Sequence, residues 1–276
     1  MKEEEEKKIK NNVLEAVKKS GYPLEIEVST MLDKMLKDWF VNNTCYYFDY
    51  EENKGRDLDI NACATEVLNG ILLFCDLVIE CKKSDDIWVF FTRPKGTEYP
   101  SQQITDTLFL NEGKKTTCAN IIERAGLHYN QTKDMAIAYD VVKGNKTIGG
   151  HSIFEAINQI SKFMEYQLLL EAKSWGIPGA PEGNIIYAFI PIIVFDGLLY
   201  KVKLDKGIDL EKIDAITLTT SRRVGYCPDR ALPIYIDIVT KDAFFSLIEV
   251  IKQDYEKLKK YILSDTYLKE AKNKFH

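Results

Sequence analysis

The chain has 276 residues, 45% of them hydrophobic and 29% charged, which is enough apolar material for a sizeable core and excludes disordered and collagen-like classes. A net charge of −5 lacks the basic excess of proteins that hold nucleic acid through bulk electrostatics, so any such binding must come from a local patch. Against roughly 100–200 residues per domain, this length predicts one large domain with elaborations.

Met1 to Lys10 holds four glutamates and four lysines, the reverse of a signal peptide. Ile9, Val13 and Val17 repeat at helical spacing up to Gly21, which stops the first helix. Pro23 opens a second, predicted to reach Phe40 with Leu24, Val28, Leu32, Met35, Leu36 and Trp39 on one stripe. Short strands are expected at 45–50 and 56–61, longer ones at 71–80 and 87–92, then a polar surface excursion over 95–117. Ser152 and Glu155 form a capping box that opens a helix to about Lys173, followed by a Pro/Gly loop at 176–183. Strands return at 185–195, 198–204, 213–220 and 233–239, and a last helix is predicted over 240–263. The longest apolar run, Ile185 to Phe195, is interrupted by Pro191 and falls short of the roughly 20 residues a membrane span needs. Cys45, Cys63, Cys75, Cys81, Cys118 and Cys227 form no CxxC or CxxH pair and read as reduced thiols. A cytoplasmic protein with no membrane contact is the expectation.

One constellation carries chemistry. Asn69-Gly70 between apolar runs is a strong two-residue hairpin signal, because a type I′ turn needs positive φ at both centres. That turn sets Asp59 opposite Glu80 and Asp57 opposite Lys82, all four on one side of the sheet, with Leu58, Ile60, Ile79 and Cys81 on the other. A helical turn over 62–68 would break this register. Three carboxylates would then crowd one ammonium. At an effective dielectric near 20, each like-charge pair at 4 Å costs about 4 kcal/mol, an imbalance that a hard divalent cation relieves. The competing reading is a charged rim with Lys82 paired to Asp57, but residues 71–79 are too continuously apolar for a strand with a solvated face.

Arg56-Asp57-Leu58-Asp59, followed after a gap by Ile79-Glu80-Cys81-Lys82-Lys83-Ser84, resembles the PD-(D/E)xK nuclease superfamily. The resemblance runs residue by residue over about 21–92, and Leu58 stands where the motif has proline. It implies an α/β, restriction-endonuclease-like three-layer core, a central mixed β-sheet flanked by helices, over about 21–200 of a single domain spanning 1–276. Residues 201–276 would be a C-terminal strand-helix extension. It implies that Asp59 and Glu80 bind Mg²⁺ (or Mn²⁺), that the Cys81 carbonyl adds a ligand, and that Lys82 orients or activates the attacking water. Nucleic acid, DNA first, would be the substrate, and a homodimer is compatible with it.

Glu25 is the candidate helix glutamate of that family, about 60° from the centre of the apolar stripe against about 100° for Glu27. A glutamate favoured by the helix dipole is the alternative at that position. Arg56 and Lys83 could touch phosphates, as could Arg222, Arg223 and the lysines after residue 252, although solvated helix lysines are the commoner case. The glycine run 144–151 fails as a phosphate loop because Gly150 occupies the lysine position, and His128, His151 and His276 are too isolated for a triad or zinc site. The rival reading is a nuclease-like chain that no longer cuts and serves as a nucleic-acid-binding or regulatory subunit.

Overall fold

The computed structural model describes residues 2–94, 104–108, 121–174, 184–204, 207–224, 227–264 and 267. Helices α1 (Lys2–Lys19) and α2 (Tyr22–Met35) come first. Helix α2 stops short of the expected Phe40: Leu36 leaves the helical region (φ −116°, ψ 63°) and Phe40 already begins a strand. Trp39 thus packs from the connecting turn, edge-on to Tyr255 at 5.2 Å between ring centroids. Strands β1 (Phe40–Asp49), β2 (Lys54–Leu68), β3 (Ile71–Lys83) and β4 (Ile87–Pro94) follow, each longer than its sequence pattern suggests. Within the expected 95–117 excursion, β5 (Ile104–Leu108) is a strand paired with β8 (Asn184–Asp196), and the rest lies outside the described residues.

The sequence gives no notice of α3 (Ile121–Ala125), α4 (His128–Gln131), β6 (Asp134–Lys143) or β7 (Lys146–Thr147). Helix α5 (His151–Ser174) precedes the Pro/Gly loop, which lies outside the described residues. After β8 and β9 (Leu199–Leu204) comes a strand the sequence reading lacks, β10 (Ile208–Ile213), and the strand expected over 213–220 is β11 (Ala215–Val224). Asp214 separates them, and its carbonyl accepts the Thr240 N–H at 2.7 Å. Strand β12 (Cys227–Thr240), a 3-10 turn and α6 (Phe244–Ile262) complete the order.

Among the described residues the strands form one mixed sheet, in the order β1-β2-β3-β8-β12-β11-β6-β4-β9-β10, with β5 also on β8 and β7 on β6. Strands β3, β8 and β12 run parallel in its middle, and their apolar runs fit strands covered on both faces. The segment expected as an extension, 201–276, supplies β11 and β12, which stand inside this order beside β8. One face packs under α5 through Ile153, Ala156, Ile157, Ile160 and Phe163. The other packs under α2, α3, α4 and α6. Phe244, Ile248, Ile251 and Ile262 of α6 are fully buried, each contributing about 1.5–3 kcal/mol by leaving water. The protein is therefore α/β with a large mixed sheet flanked by helices. No helix among the described residues is long and apolar enough to cross a membrane, and Cys45, Cys63, Cys75 and Cys81 are free.

His128 is not isolated, as its sequence setting suggests. Its Nδ1 meets Asp254 Oδ2 at 2.5 Å and its Nε2 meets Asp237 Oδ2 at 2.9 Å, while its backbone N–H donates to Asp254 Oδ2 at 2.8 Å. Thr217 donates to the other oxygen of Asp237, and Lys257 to that of Asp254. Two buried carboxylates are thereby balanced by an imidazolium and an ammonium, fastening α4 and α6 to β11 and β12. Burial alone would lower the His128 pKa, but the two aspartates outweigh it and hold it up to about 10.

Candidate active site

The Asn69-Gly70 turn has φ of 51° and 79°, both in the left-handed region a type I′ hairpin requires. The register follows from it, Leu68 opposite Ile71 and onward to Ile60 opposite Ile79. No helical turn interrupts 62–68. Beyond Ile60 and Ile79 the ladder ends, and the Cys81 N–H donates instead to Asp59 Oδ2 at 2.7 Å. A side-chain carboxylate thus stands in for a main-chain acceptor where the strands part.

Across from Asp59, Thr44 of β1 has φ 56°, uncommon for a residue with a branched Cβ. Side-chain alternation inverts there. Ile60 and Ala62 lie in the core under α2 and α6, whereas Leu58 joins Tyr47 in the core under α5. This corrects the expectation that Leu58 and Ile60 share a face. It also removes Asp57 from the cluster: Asp57 is exposed, opposite Tyr46, and the carboxyl groups that feel the charge of Asp59 are Glu80 and Glu25.

Glu80 is completely buried. Its Oε2 accepts from Lys82 Nζ at 2.8 Å, and Lys82 also donates to Gln159 Oε1 on α5 at 3.1 Å. Glu80 Oε1 has no hydrogen-bond partner among the described residues. Burial, then the neighbouring Asp59, pushes the Glu80 carboxyl up to about 8, with Lys82 opposing the rise. Asp59 is raised by burial against the pull of the Cys81 N–H and Lys82. Burial works against charge on Lys82, but Glu80 and Asp59 outweigh it and raise its pKa. Glu25, half-buried on the first turn of α2, is raised by burial and then by Asp59. Glu27 is exposed and lies 3.4 Å from Lys241.

The remaining candidates are occupied elsewhere. Arg56 pairs with Asp49 at 3.0 Å and Glu52 at 2.6 Å, beside Lys162, which sits 2.7 Å from Asp49. Lys83 donates to the Lys18 carbonyl at 3.0 Å and lies 3.2 Å from Asp196. The Cys81 side chain is buried in the α2/α6 core. Arg222 and Arg223 side chains lie outside the described residues.

Two residues escape the sequence reading. Gln159 follows the apolar Ala156-Ile157 pair and precedes Ile160, so a polar residue embedded in the sheet-facing stripe of α5 is the signal for it. Tyr47 is fully buried, its hydroxyl has no partner among the described residues, and burial followed by the charge of Glu80 suppresses its ionisation.

No group of three or more His, Cys, Asp or Glu side chains among the described residues is arranged to hold a metal ion. What converges is a pair of carboxylates, which matches an ion that takes one or two protein carboxylates and keeps its other positions for water. The unpartnered, buried Glu80 Oε1 is the atom such a cation would satisfy. Comparison with protein-family models, curated proteins and solved structures finds no match.

Proposed function

We propose that this chain is a divalent-metal-dependent nuclease of restriction-endonuclease-like fold, hydrolysing phosphodiester bonds of DNA. The observation that carries the reading is the meeting of Asp59, Glu80 and Lys82 where β2 and β3 part, with one oxygen of a fully buried carboxylate unpartnered. A solvated rim would not bury Glu80 at all.

Asp59 and Glu80 would hold Mg²⁺ or Mn²⁺, with the Cys81 carbonyl as a further ligand. When bound, the ion supplies Lewis acidity and neutralises charge developing on the phosphoryl oxygens. Lys82 keeps its ammonium charged beside these carboxylates and, held between Glu80 and Gln159, is placed to orient a water for in-line attack. Glu25 adds negative potential at the rim of the same group. The substrate would meet a locally buried site rather than a broad basic surface, since Arg56 and Lys83 are already paired within the chain.

The test is incubation with linear, supercoiled and single-stranded DNA and with RNA, each in Mg²⁺, Mn²⁺ and EDTA. Cleavage of DNA that needs the metal and disappears in EDTA is the expected result. Binding without cleavage would select the non-cutting reading, and cleavage of RNA alone would replace the substrate.

A further inference from the structure

Tyr47 of β1 lies in the core under α5, where its ring meets Phe163 edge-on at 6.0 Å between centroids. A phenylalanine would make that contact equally well. What tyrosine adds is a hydroxyl, and this one is fully buried with no hydrogen-bond partner among the described residues. Taking a hydroxyl out of water without a partner is unfavourable, and buried tyrosines ordinarily pair theirs.

The neighbour of that hydroxyl is the Glu80 carboxyl. Val78 and Glu80 are two residues apart on β3 and so share the face under α5, where Val78 belongs to the same core as Tyr47 and Leu58. Phe163 stands one turn along α5 from Gln159, whose Oε1 accepts from Lys82 Nζ at 3.1 Å. Lys82 in turn donates to Glu80 Oε2 at 2.8 Å. The charge of Glu80 also reaches the Tyr47 hydroxyl, where it ranks next to burial in opposing ionisation. Tyr47 therefore keeps its proton and is a donor without an acceptor, while Glu80 Oε1 is an acceptor without a donor. The last torsion of a glutamate is broad, so Oε1 turns toward a donor at little cost, and Lys82, with three donors on a flexible stem, can follow Oε2.

We propose that Tyr47 is a positioning residue for the metal centre, its hydroxyl donating to Glu80 Oε1 as that carboxylate turns to take the cation. The inference rests on the reading of Asp59 and Glu80 as metal ligands. A carboxylate oxygen has two lone pairs, so Oε1 can accept from Tyr47 and still face a cation. Lys82 then fixes one oxygen of Glu80 and Tyr47 the other, as hydrogen bonds behind a ligand commonly orient it. Tyr47 is too deeply buried to touch a substrate, so its effect falls on metal affinity.

Isothermal titration calorimetry with Mn²⁺ alone, on wild type, Tyr47→Phe and Asp59→Asn, together with melting temperatures in EDTA, tests this. Tyr47→Phe keeps the ring contact with Phe163 and removes a hydroxyl that bonds to none of the described residues. Its melting temperature in EDTA should therefore equal or exceed that of wild type. Its Mn²⁺ affinity should nevertheless fall about 10–100-fold, a split that a hydroxyl serving only the fold would not produce. Unchanged affinity in Tyr47→Phe, with Asp59→Asn no longer binding, overturns the role of Tyr47 and leaves the metal centre standing. A melting temperature in EDTA that drops along with the affinity overturns it as well, by assigning the hydroxyl to the fold. A wild type that takes up no Mn²⁺, or an Asp59→Asn protein that binds as wild type does, overturns the metal centre itself and the inference with it.

Discussion

Glu80 is surrounded on every side, yet one of its oxygens meets no donor among the described residues, a condition that costs about 1–3 kcal/mol and more for a charged group. Lys82 offsets only the other oxygen. In the proposed reaction Lys82→Ala should lower the cleavage rate by about 10²–10⁴-fold, the usual worth of a positioned proton-transfer or water-orienting group. The variant should keep its fold, because Lys82 is about a quarter exposed and faces α5 rather than the apolar core. Near-full activity in a folded Lys82→Ala protein would take Lys82 out of the mechanism. At the same scale, His128 makes a claim about stability. Its pKa is near 10 in the folded protein against about 6.5 unfolded, so the folded state holds a proton that the unfolded state releases between those values. That contribution is complete below about pH 6.5 and is lost as pH rises through 10. Denaturant unfolding at successive pH values should show this alkaline decline in wild type and its absence in His128→Gln. Parallel curves for the two proteins would deny the imidazolium its role. His128→Ala should cost about 3–5 kcal/mol, since it leaves Asp237 and Asp254 buried without their shared partner.

Among the elements, the β2–β3 hairpin was legible because a two-residue turn fixes every pairing that follows it. Asn69-Gly70 alone therefore sets Ile60 opposite Ile79 and brings Asp59 alongside Glu80. Gly70→Ala should destabilise the protein by about 1–2 kcal/mol, because φ 79° is costly for a residue with a Cβ although open space surrounds the position. Chemical denaturation measures it, and an unchanged midpoint would mean the turn does not hold the register. What a local pattern could not carry was the inversion at Thr44 and Asp59, where a positive φ in the neighbouring strand sends Leu58 to the opposite core. Asp57 was counted among the crowded carboxylates for that reason, whereas Glu25, already a candidate from its helical position, is a carboxyl group that feels Asp59. The end of α2 misled differently: Leu32, Leu36 and Trp39 keep helical spacing past Met35, but Trp39 reaches Tyr255 from a turn. Strand β6 lacks strict alternation in burial, and α3 and α4 are too short to leave a period, so the histidine they present to two aspartates, 109 and 126 residues away, had no sequence signal.

For the whole molecule, the α/β class was legible because apolar strand runs alternate with amphipathic helices, and the central strands β3 and β8 announce themselves by apolar runs on both faces. Strand order was not, because it depends on pairings such as β12 with β8 and β6 with β11 that no turn dictates. The fold's bearing on function lies in how those central strands bury Glu80 while leaving β2 free to part from β3. In the proposed metal site Asp59 and burial hold the Glu80 carboxyl well above its usual range, a cost that a bound cation would relieve. Thermal unfolding of wild type and Asp59→Asn, with and without Mg²⁺ or Mn²⁺, measures this directly. At about 100 times its dissociation constant the ion should stabilise wild type by roughly 2.7 kcal/mol, a melting shift of about 5–10 °C for a chain of this size. Asp59→Asn should melt higher than wild type without metal and gain much less from its addition. Equal metal-induced shifts in the two proteins, or none in wild type, would contradict a metal centre on Asp59 and Glu80.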